Sequence, residues 1–361
     1  MRSSGRAAAA LAAVLSSGCL PKALEKVSEV PDPARVQVRF LGVGGFVVRR
    51  GHDVVMTAPL YSNPREGDLV LGSIRPNPEI LDRYFSEHAL EAEMAELRAI
   101  LVGHGHYDHL MDVPYFLDKA KAAQVYGNVT TKRILAGLGE DVSRRVTALN
   151  DPANPVADFT NCTEDAGFGC VRFPGQPGRW LDVQGTDRRV RIRAFCSCHP
   201  PQVLHAIHFW PGCLSGELSS PPTKADQYRE GEVFAYLIDF MEDGRPAFRV
   251  YYQDAPVARP DGWVPEAVVS ERAVDLALLC AGNFDAVDEP ESIVSDNLCA
   301  EAVIIHHWED FFDPEHSKLK MIPGCDVNKF YRHVLARVGG DRTRVHVLAP
   351  GVLRNYPQRT R

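Results

Sequence analysis

Apolar and polar positions alternate or cluster along the chain in lengths that predict strands and helices. Residues 36–40 alternate as a strand does, and glycines at 42, 44 and 45 precede a second apolar stretch at 46–48. Residues 52–56 continue the hairpin with another arm. The short apolar run 99–102 predicts a buried strand. The first hundred residues therefore indicate a small sheet.

Helical spacing appears between these strands and after them. Residues 81–101 begin with helical spacing that places Leu90, Met94 and Leu97 on one face, and Pro114 stands near the start of a second helix. Further strands are predicted at residues 190–198, 234–240, 248–252, 274–279 and 303–305, and a helix at 330–338. Two irregular insertions, near 150–180 and 200–230, interrupt the pattern. Strands that alternate with helices predict an α/β layered fold.

The N-terminus follows a different pattern. Arg2 and Arg6 precede an apolar stretch at 7–15, small residues fill 16–18, and Cys19 follows. This order is typical of an export signal and resembles a bacterial lipoprotein signal, in which the cysteine is acylated. We expect a signal peptide at 1–18, a lipid-anchor linker at 19–35 and one hydrolase domain at 36–361. The protein would be exported and membrane-anchored at the cell envelope, or alternatively periplasmic or secreted.

Composition narrows the possible partners and the redox state. The 361 residues are 45% hydrophobic and 24% charged, with a formal net charge of −7 and no long basic run, so nucleic acid is not an expected partner. Of nine cysteines, eight remain after Cys19, an even number that permits disulfides in an oxidising compartment. We predict a pair between Cys162 and Cys170, which bracket a polar loop.

Residues able to bind metal follow several predicted strands. Three histidines and an aspartate lie within six residues directly after the run 99–102, and other candidates follow three later strands. The candidates are His104, His106, Asp108, His109, His199, Asp254, His306 and His307. In α/β sheets such side chains meet beyond the carboxyl ends of strands. Imidazole nitrogen and carboxylate oxygen suit Zn²⁺, Mn²⁺ or Fe²⁺, so the pattern predicts a metal centre.

The set resembles the metallo-β-lactamase superfamily of hydrolases. The H-x-H-x-D-H signature is complete at 104–109, and the glycine turn at 42–46 and Tyr126-Gly127-Asn128 also look like that family. The resemblance covers residues 36–350 and implies a four-layer αββα sandwich with two metal ions, usually zinc. It implies that His104, His106 and His199 hold one ion, that Asp108, His109 and His307 hold the other, and that Asp254 bridges them. A bridging hydroxide would be the nucleophile, with Asp108 and Asp254 as catalytic residues.

Two ligand positions have alternatives, His306 for His307 and His205 for His199. The sequence His307-Trp308-Glu309-Asp310-Phe311-Phe312 is similar to a subgroup of ascorbate-phosphate lactonases and N-acyl-phosphatidylethanolamine phospholipase D type enzymes. That resemblance implies a small-molecule or lipid-like substrate with a phosphodiester, lactone, ester or amide bond. The alternatives are a one-iron oxygenase of the same fold and a non-catalytic metal-binding surface lipoprotein.

Other residues near these motifs are candidates for supporting roles. Tyr107, His205, His208 and Glu309 are candidate proton donors or substrate contacts, and Trp180, Trp210 and Trp263 are candidates for a pocket rim. Cys196 and Cys198 next to His199 suggest either a thiolate metal cluster or, as the alternation favours, core thiols or disulfide partners. Where the superfamily commonly has Asp-Pro, this chain has Met56-Thr57-Ala58-Pro59, which would alter the support of the site.

Overall fold

A computed structural model of the chain describes residues 19–162, 170–202, 207–316 and 318–358. The predicted signal peptide at 1–18 and the alternative ligand His205 lie outside these residues. Within the described residues, no helix is both long enough and apolar enough to cross a lipid bilayer.

The described elements run in chain order through both halves of the molecule. The strands are β1 (Leu24–Glu25), β2 (Val36–Gly42), β3 (Gly45–Arg50), β4 (Asp53–Thr57), β5 (Leu97–Leu101), β6 (Gln124–Gly127), β7 (Val146–Ala148), β8 (Leu181–Asp182), β9 (Val190–Ser197), β10 (Val233–Glu242), β11 (Arg245–Gln253), β12 (Leu276–Cys280), β13 (Ala302–His306), β14 (Val345–Leu348) and β15 (Leu353–Tyr356). The α-helices are α1 (Glu66–Val70), α2 (Pro78–Glu87), α3 (Glu91–Glu96), α4 (Tyr107–Leu110), α5 (Val113–Lys119), α6 (Val129–Ala136), α7 (Glu140–Ser143), α8 (Glu266–Val269) and α9 (Val327–Arg337).

The strands form two sheets. One has the order β15-β2-β3-β4-β5-β6-β7, and the other has the order β1-β14-β13-β12-β11-β10-β9-β8. In the first sheet β2 to β4 are antiparallel and β4 to β7 are parallel. In the second, β9 to β11 are antiparallel and β11 to β14 are parallel. Each sheet therefore has a hairpin part and a parallel part, and its parallel strands end at one edge.

Three apolar clusters show how the layers pack. The central cluster joins inward side chains of both sheets, such as Phe40 and Val55 with Ile192 and Phe234. A second cluster packs α2 and α5 on the outside of the first sheet, and a third packs α8 and α9 on the outside of the second. Burial of alternate strand residues on opposite faces drives this arrangement. The fold is the predicted αββα sandwich.

The sequence placed one strand boundary wrongly. Helical spacing predicts that Leu97 shares a helix face with Leu90 and Met94. In the structure, α3 ends at Glu96 and Leu97 is the first residue of β5. Leu97 pairs there with Val54 of β4 in parallel register. Pairing with a neighbouring strand thus overrides helical spacing at this position.

The predicted Cys162–Cys170 pair is also wrong. The disulfides join Cys162 to Cys196 and Cys170 to Cys213. The segment before Cys162 lies along β9, because Asp158 donates its N–H to the carbonyl of Ala194 at 2.7 Å and accepts the N–H of Cys196 at 2.7 Å. That pairing brings Cys162 to Cys196. The second disulfide then ties one insertion to the other.

Candidate metal centre

Four connections carry the candidate ligands to one edge of the sandwich. His104 and His106 lie in the loop after β5, and α4 begins at Tyr107, which fixes Asp108 and His109 in its first turn. His199 lies two residues beyond β9, Asp254 directly follows β11, and His307 directly follows β13. Short loops at strand ends hold these side chains because the strands themselves are packed on both faces.

The seven predicted residues form three groups of three that share members. Within each group, the three ligand atoms lie within 4.8 Å of one another. The groups are His104, His106 and His199; His104, His109 and Asp254; and Asp108, His109 and His307. The Nε2 atom of His104 lies 3.0 Å from Nδ1 of His106, and Nδ1 of His104 lies 3.1 Å from Oδ1 of Asp254. On the other side, Oδ2 of Asp108 lies 3.3 Å from Nε2 of His307. Asp254 therefore stands between the two histidine clusters.

The structure distinguishes His307 from His306. Both ring nitrogens of His306 lie 3.0 Å from backbone carbonyls, Nδ1 from that of Val43 and Nε2 from that of Gln253. His307 has a φ of 57°, in the left-handed region that is uncommon for a residue with a Cβ. Its N–H donates to the carbonyl of Val43 at 3.0 Å. This turn directs the ring of His307 to Asp108 while His306 stays in the sheet.

The donor atoms of the centre fit a cation. Four buried ring or carboxylate atoms in the cluster lack a hydrogen-bond partner among the described residues: both ring nitrogens of His109, Nδ1 of His307 and Oδ2 of Asp254. Buried polar atoms are costly unless they are paired or bind a metal. The ring of His199 is oriented by its Nδ1 atom, 2.7 Å from the carbonyl of Pro200, which leaves Nε2 for coordination. The residues present therefore suit a two-metal centre.

The electrostatics of the cluster favour the protonation states that metal ligands need. Burial lowers the pKa of His104, His106 and His199, and it lowers the pKa of His109 to about 3. Burial opposes ionisation of Asp108, yet the neighbouring His109 and His307 hold its pKa well below the usual range. The cluster thus combines neutral imidazoles with an ionised carboxylate, which is the state that binds dications.

Asp254 and His307 deviate from this pattern in ways that a cation would change. Burial raises the pKa of the Asp254 carboxyl. Burial also disfavours the charged form of His307, but its hydrogen bond to Asp108 raises the pKa of that imidazole. A dication beside these groups would favour the ionised carboxylate and the neutral ring.

One further carboxylate, missed at the sequence level, borders the centre. Glu230 is buried, and its Oε2 lies 4.0 Å from Nε2 of His106. Burial, together with the charge of Glu232, raises the pKa of Glu230 to about 8. The backbone around Glu230 is clamped to the ligand loop, because its carbonyl accepts the N–H of Gly105 at 2.8 Å. The position of Glu230 in the sequence could have indicated this role. Glu230 lies three residues before β10, and β10 pairs with β9, the strand that His199 follows.

The insertion at 200–230 covers one side of the centre. The Trp210 ring lies 6.3 Å from the His106 ring and 5.8 Å from the Tyr107 ring, both edge-on. Cys213, three residues later, is bonded to Cys170 in the other insertion. Trp180 instead packs under the guanidinium of Arg191 at 4.0 Å. Of the two, Trp210 is the one the structure places against a candidate ligand.

Two polar side chains near the centre, Glu309 and Thr57, form hydrogen bonds to the backbone of neighbouring turns. Glu309 is buried and accepts the backbone N–H groups of Val43 and Trp308, so it braces the turn around His307. Thr57, one residue before the Ala58-Pro59 pair that stands where the superfamily commonly has Asp-Pro, accepts the N–H of Phe46 at 2.9 Å and donates to the carbonyl of Gly44 at 2.5 Å. It therefore holds the glycine turn.

The cysteines beside His199 do not form a thiolate metal cluster. Cys196 is in a disulfide, and burial raises the pKa of the Cys198 thiol to about 11. The prediction that Cys196 is a disulfide partner is confirmed. The alternative prediction, a metal site made of the Cys196 and Cys198 thiolates, is wrong.

Comparisons with known proteins agree with this fold. Residues 66–193 match the family model of the metallo-beta-lactamase superfamily. A solved structure of Igni18, a metallo hydrolase from the archaeon Ignicoccus hospitalis, is 16% identical, with 90% of this chain and 99% of that chain covered and a TM-score of 0.50. A possible metal-dependent hydrolase from Veillonella parvula is 12% identical, with 89% and 99% covered and a TM-score of 0.47.

A third structure, the metallo-beta-lactamase fold protein YhfI from Bacillus subtilis, is 11% identical, with 89% of this chain and 99% of that chain covered and a TM-score of 0.46. No curated protein sequence matches the chain. The match over residues 66–193 supports the resemblance to the superfamily, and the subgroup stays a prediction.

Proposed function

We propose that this chain is a hydrolase that works with two divalent metal ions, most simply zinc, at the edge of the sandwich. The observation that carries the proposal is the position of Asp254 between two histidine groups, with Asp108 on the far side. A single-metal site needs only one of these groups. A carboxylate shared between two groups is the arrangement that holds paired dications in hydrolases.

Such ions, when bound, lower the pKa of water towards neutrality and polarise the bond under attack. The residues of the chain supply the rest. His104, His106 and His199 would hold one ion, and Asp108, His109 and His307 the other, with Asp254 shared. Asp108 would also accept a hydrogen bond from the attacking water and so orient it. Trp210 would exclude bulk water on the side of His106, which strengthens electrostatic interactions inside the site.

For the substrate, we propose a small-molecule or lipid-like compound with a phosphodiester, lactone, ester or amide bond. Support comes from the likeness of residues 307–312 to the lactonase and phospholipase D type subgroup. All these substrates react through a carbon or phosphorus centre that gains negative charge on oxygen, and a two-metal site stabilises that charge.

The test combines metal content with turnover of the full chain purified without chelator. We expect about two zinc ions per chain and hydrolysis of at least one member of a panel of phosphodiesters, lactones and amides. About one iron per chain would point to the oxygenase alternative, and a folded protein without metal or turnover would favour a non-catalytic binding or structural role. The site variant is Asp254→Asn, and its matched control is Asp141→Asn in α7, whose carboxylate is fully exposed and is not a candidate ligand.

A further inference from the structure

The N-terminal segment of the described chain is docked on the fold. The carbonyl of Cys19 accepts the N–H of Met321 at 3.2 Å, and the N–H of Lys22 donates to Oδ1 of Asn328 at 2.8 Å. Two residues after Lys22, β1 joins the edge of the second sheet beside β14. These contacts fix the backbone of residues 19–25 on the surface of the domain. A group attached to Cys19 would therefore lie at a defined position on that surface.

That place adjoins the candidate metal centre. Met321 pairs with Glu309 in an antiparallel bridge, and the N–H of Ile322 donates to the carbonyl of Trp308 at 2.8 Å. Trp308 and Glu309 directly follow His307. Since neighbouring strands lie about 4.8 Å apart, the Cα atom of Cys19 is within about 20 Å of that of His307. A domain of this length is about 50 Å across, so Cys19 is on the same side as the centre.

Exposed apolar side chains accompany this tether. Leu20 is 36% exposed and Leu319 is 38% exposed, and they flank the Cys19–Met321 contact along their two segments. Leu319 also lines a cavity of about 190 Å³ whose other walls include Val43 and Glu309, the residues that hold the turn at His307. The cavity therefore extends from Leu319 to the backbone that supports the centre.

We infer that Cys19, Leu20 and Leu319 form a membrane-contact surface. A lipid anchor on Cys19 would hold the cavity lined by Val43, Glu309 and Leu319 against the bilayer. The partner is a lipid bilayer, chosen because the chain before Cys19 has the charged, apolar and small-residue order of a lipoprotein signal. Two leucines beside an acylated residue would enter the interfacial region, where apolar groups bury about 5–10 Å.

The modification that the inference needs is a simple exchange. Sγ of Cys19 forms a thioether bond to the terminal glyceryl carbon of a diacylglycerophospholipid, the carbon–oxygen bond to the headgroup phosphate breaks, and the thiol proton leaves with that phosphate. Water then hydrolyses the Gly18–Cys19 amide and frees the α-amino group of Cys19. Cys19 is exposed and outside the disulfides, so its thiol is accessible.

The test uses the full chain expressed in a bacterium with a photoreactive benzophenone residue replacing either Leu319 or Arg188. Arg188 is the matched control, because its side chain is 86% exposed just before the start of β9, the opposite end from His199. The purified protein is placed in vesicles of phosphatidylethanolamine and phosphatidylglycerol and illuminated. Lipid adducts and the mass of the N-terminal peptide are then measured by mass spectrometry.

We expect a diacylglyceryl mass on Cys19 and at least about tenfold more lipid adduct at position 319 than at 188, since only apolar groups near the anchor reach the interface. Cys19→Ser should remove both signals. An unmodified Cys19, equal adducts at both positions, or adducts from position 319 to protein in place of lipid would each overturn the inference. None of these readouts uses turnover, so failure of the proposed hydrolysis would not affect them.

Discussion

Oε2 of Glu230 lies 4.0 Å from Nε2 of His106, and neither atom has a hydrogen-bond partner among the described residues. Because Nδ1 of His106 faces His104 at 3.0 Å, its Nε2 points away from the metal cluster. A carboxylate behind a ligating histidine fixes the ring and increases its basicity. We propose that Glu230 is a positioning residue for His106.

Replacing Glu230 should weaken metal binding without unfolding the protein. For Glu230→Leu we expect a loss of about 10–100-fold in metal affinity, the usual effect of removing such a partner. Glu230→Gln, which keeps an acceptor oxygen, should lose less. Competition with a zinc chelator measures both, with Glu140→Gln on the exposed end of α7 as control. Equal affinities for all four proteins would show that Glu230 does not orient His106.

Asp254 should be needed for the second ion and for turnover. Asp254→Asn keeps the size of the side chain and removes its charge, so we expect about one metal ion per chain and at least about 1,000-fold less hydrolysis. Circular dichroism should show an unchanged fold. Full turnover by this variant would rule out the two-metal mechanism.

Gly103 makes room for Asp254, and this can be tested by adding one methyl group. A Cβ at Gly103 would overlap the Asp254 carboxylate. Gly103→Ala should therefore displace the shared ligand and reduce metal content. Gly67 offers a matched control, because a Cβ there meets nothing within 4 Å. Gly67→Ala in α1 should keep its metal and gain up to about 1 kcal/mol of stability from helix propensity. Two bound ions in Gly103→Ala would contradict the prediction, because they would show that Asp254 keeps its position beside the added methyl group.

The disulfides should stabilise the insertions around the centre. Cys162 and Cys196 are 34 residues apart, and Cys170 and Cys213 are 43 apart. Loop-closure entropy predicts a loss of about 3–4 kcal/mol in the free energy of unfolding for each disulfide removed. Urea denaturation of Cys170→Ser and Cys162→Ser measures this loss. Cys299→Ser, at an exposed free cysteine, is the control and should change little. Equal midpoints for all variants would show that the pairs are not formed.

Docking of the N-terminal strand should depend on pH through Glu25. Burial alone would raise the pKa of Glu25, but the hydrogen bond and charge of His346 and the charge of Arg354 outweigh burial and lower that pKa below the usual value for a glutamate. A depressed carboxyl pKa stabilises the fold above the unfolded value, and the effect is lost as the pH falls through the folded value. We therefore expect the docking of β1 to weaken as the pH falls below the usual pKa of a glutamate carboxyl.

Hydrogen exchange of residues 19–25 as a function of pH measures this undocking. In Glu25→Gln the acid-dependent step should disappear, because the residue no longer titrates. A pH-independent exchange rate in the unmodified chain would contradict the role of Glu25.

Local sequence patterns determined the fold class, most of the strands and the ligand-rich loop at 104–109. Strand alternation and the spacing of these side chains depend on neighbours within a few residues, so the sequence contains them. It could not decide between His306 and His307, because that choice depends on the left-handed turn at 307 and on the carbonyls of Val43, directly after β2, and of Gln253 in β11. Nor could it pair Cys162 with Cys196 or place Glu230 behind His106. Those relationships join residues far apart in the chain, and only the packing of two sheets and two insertions brings them together.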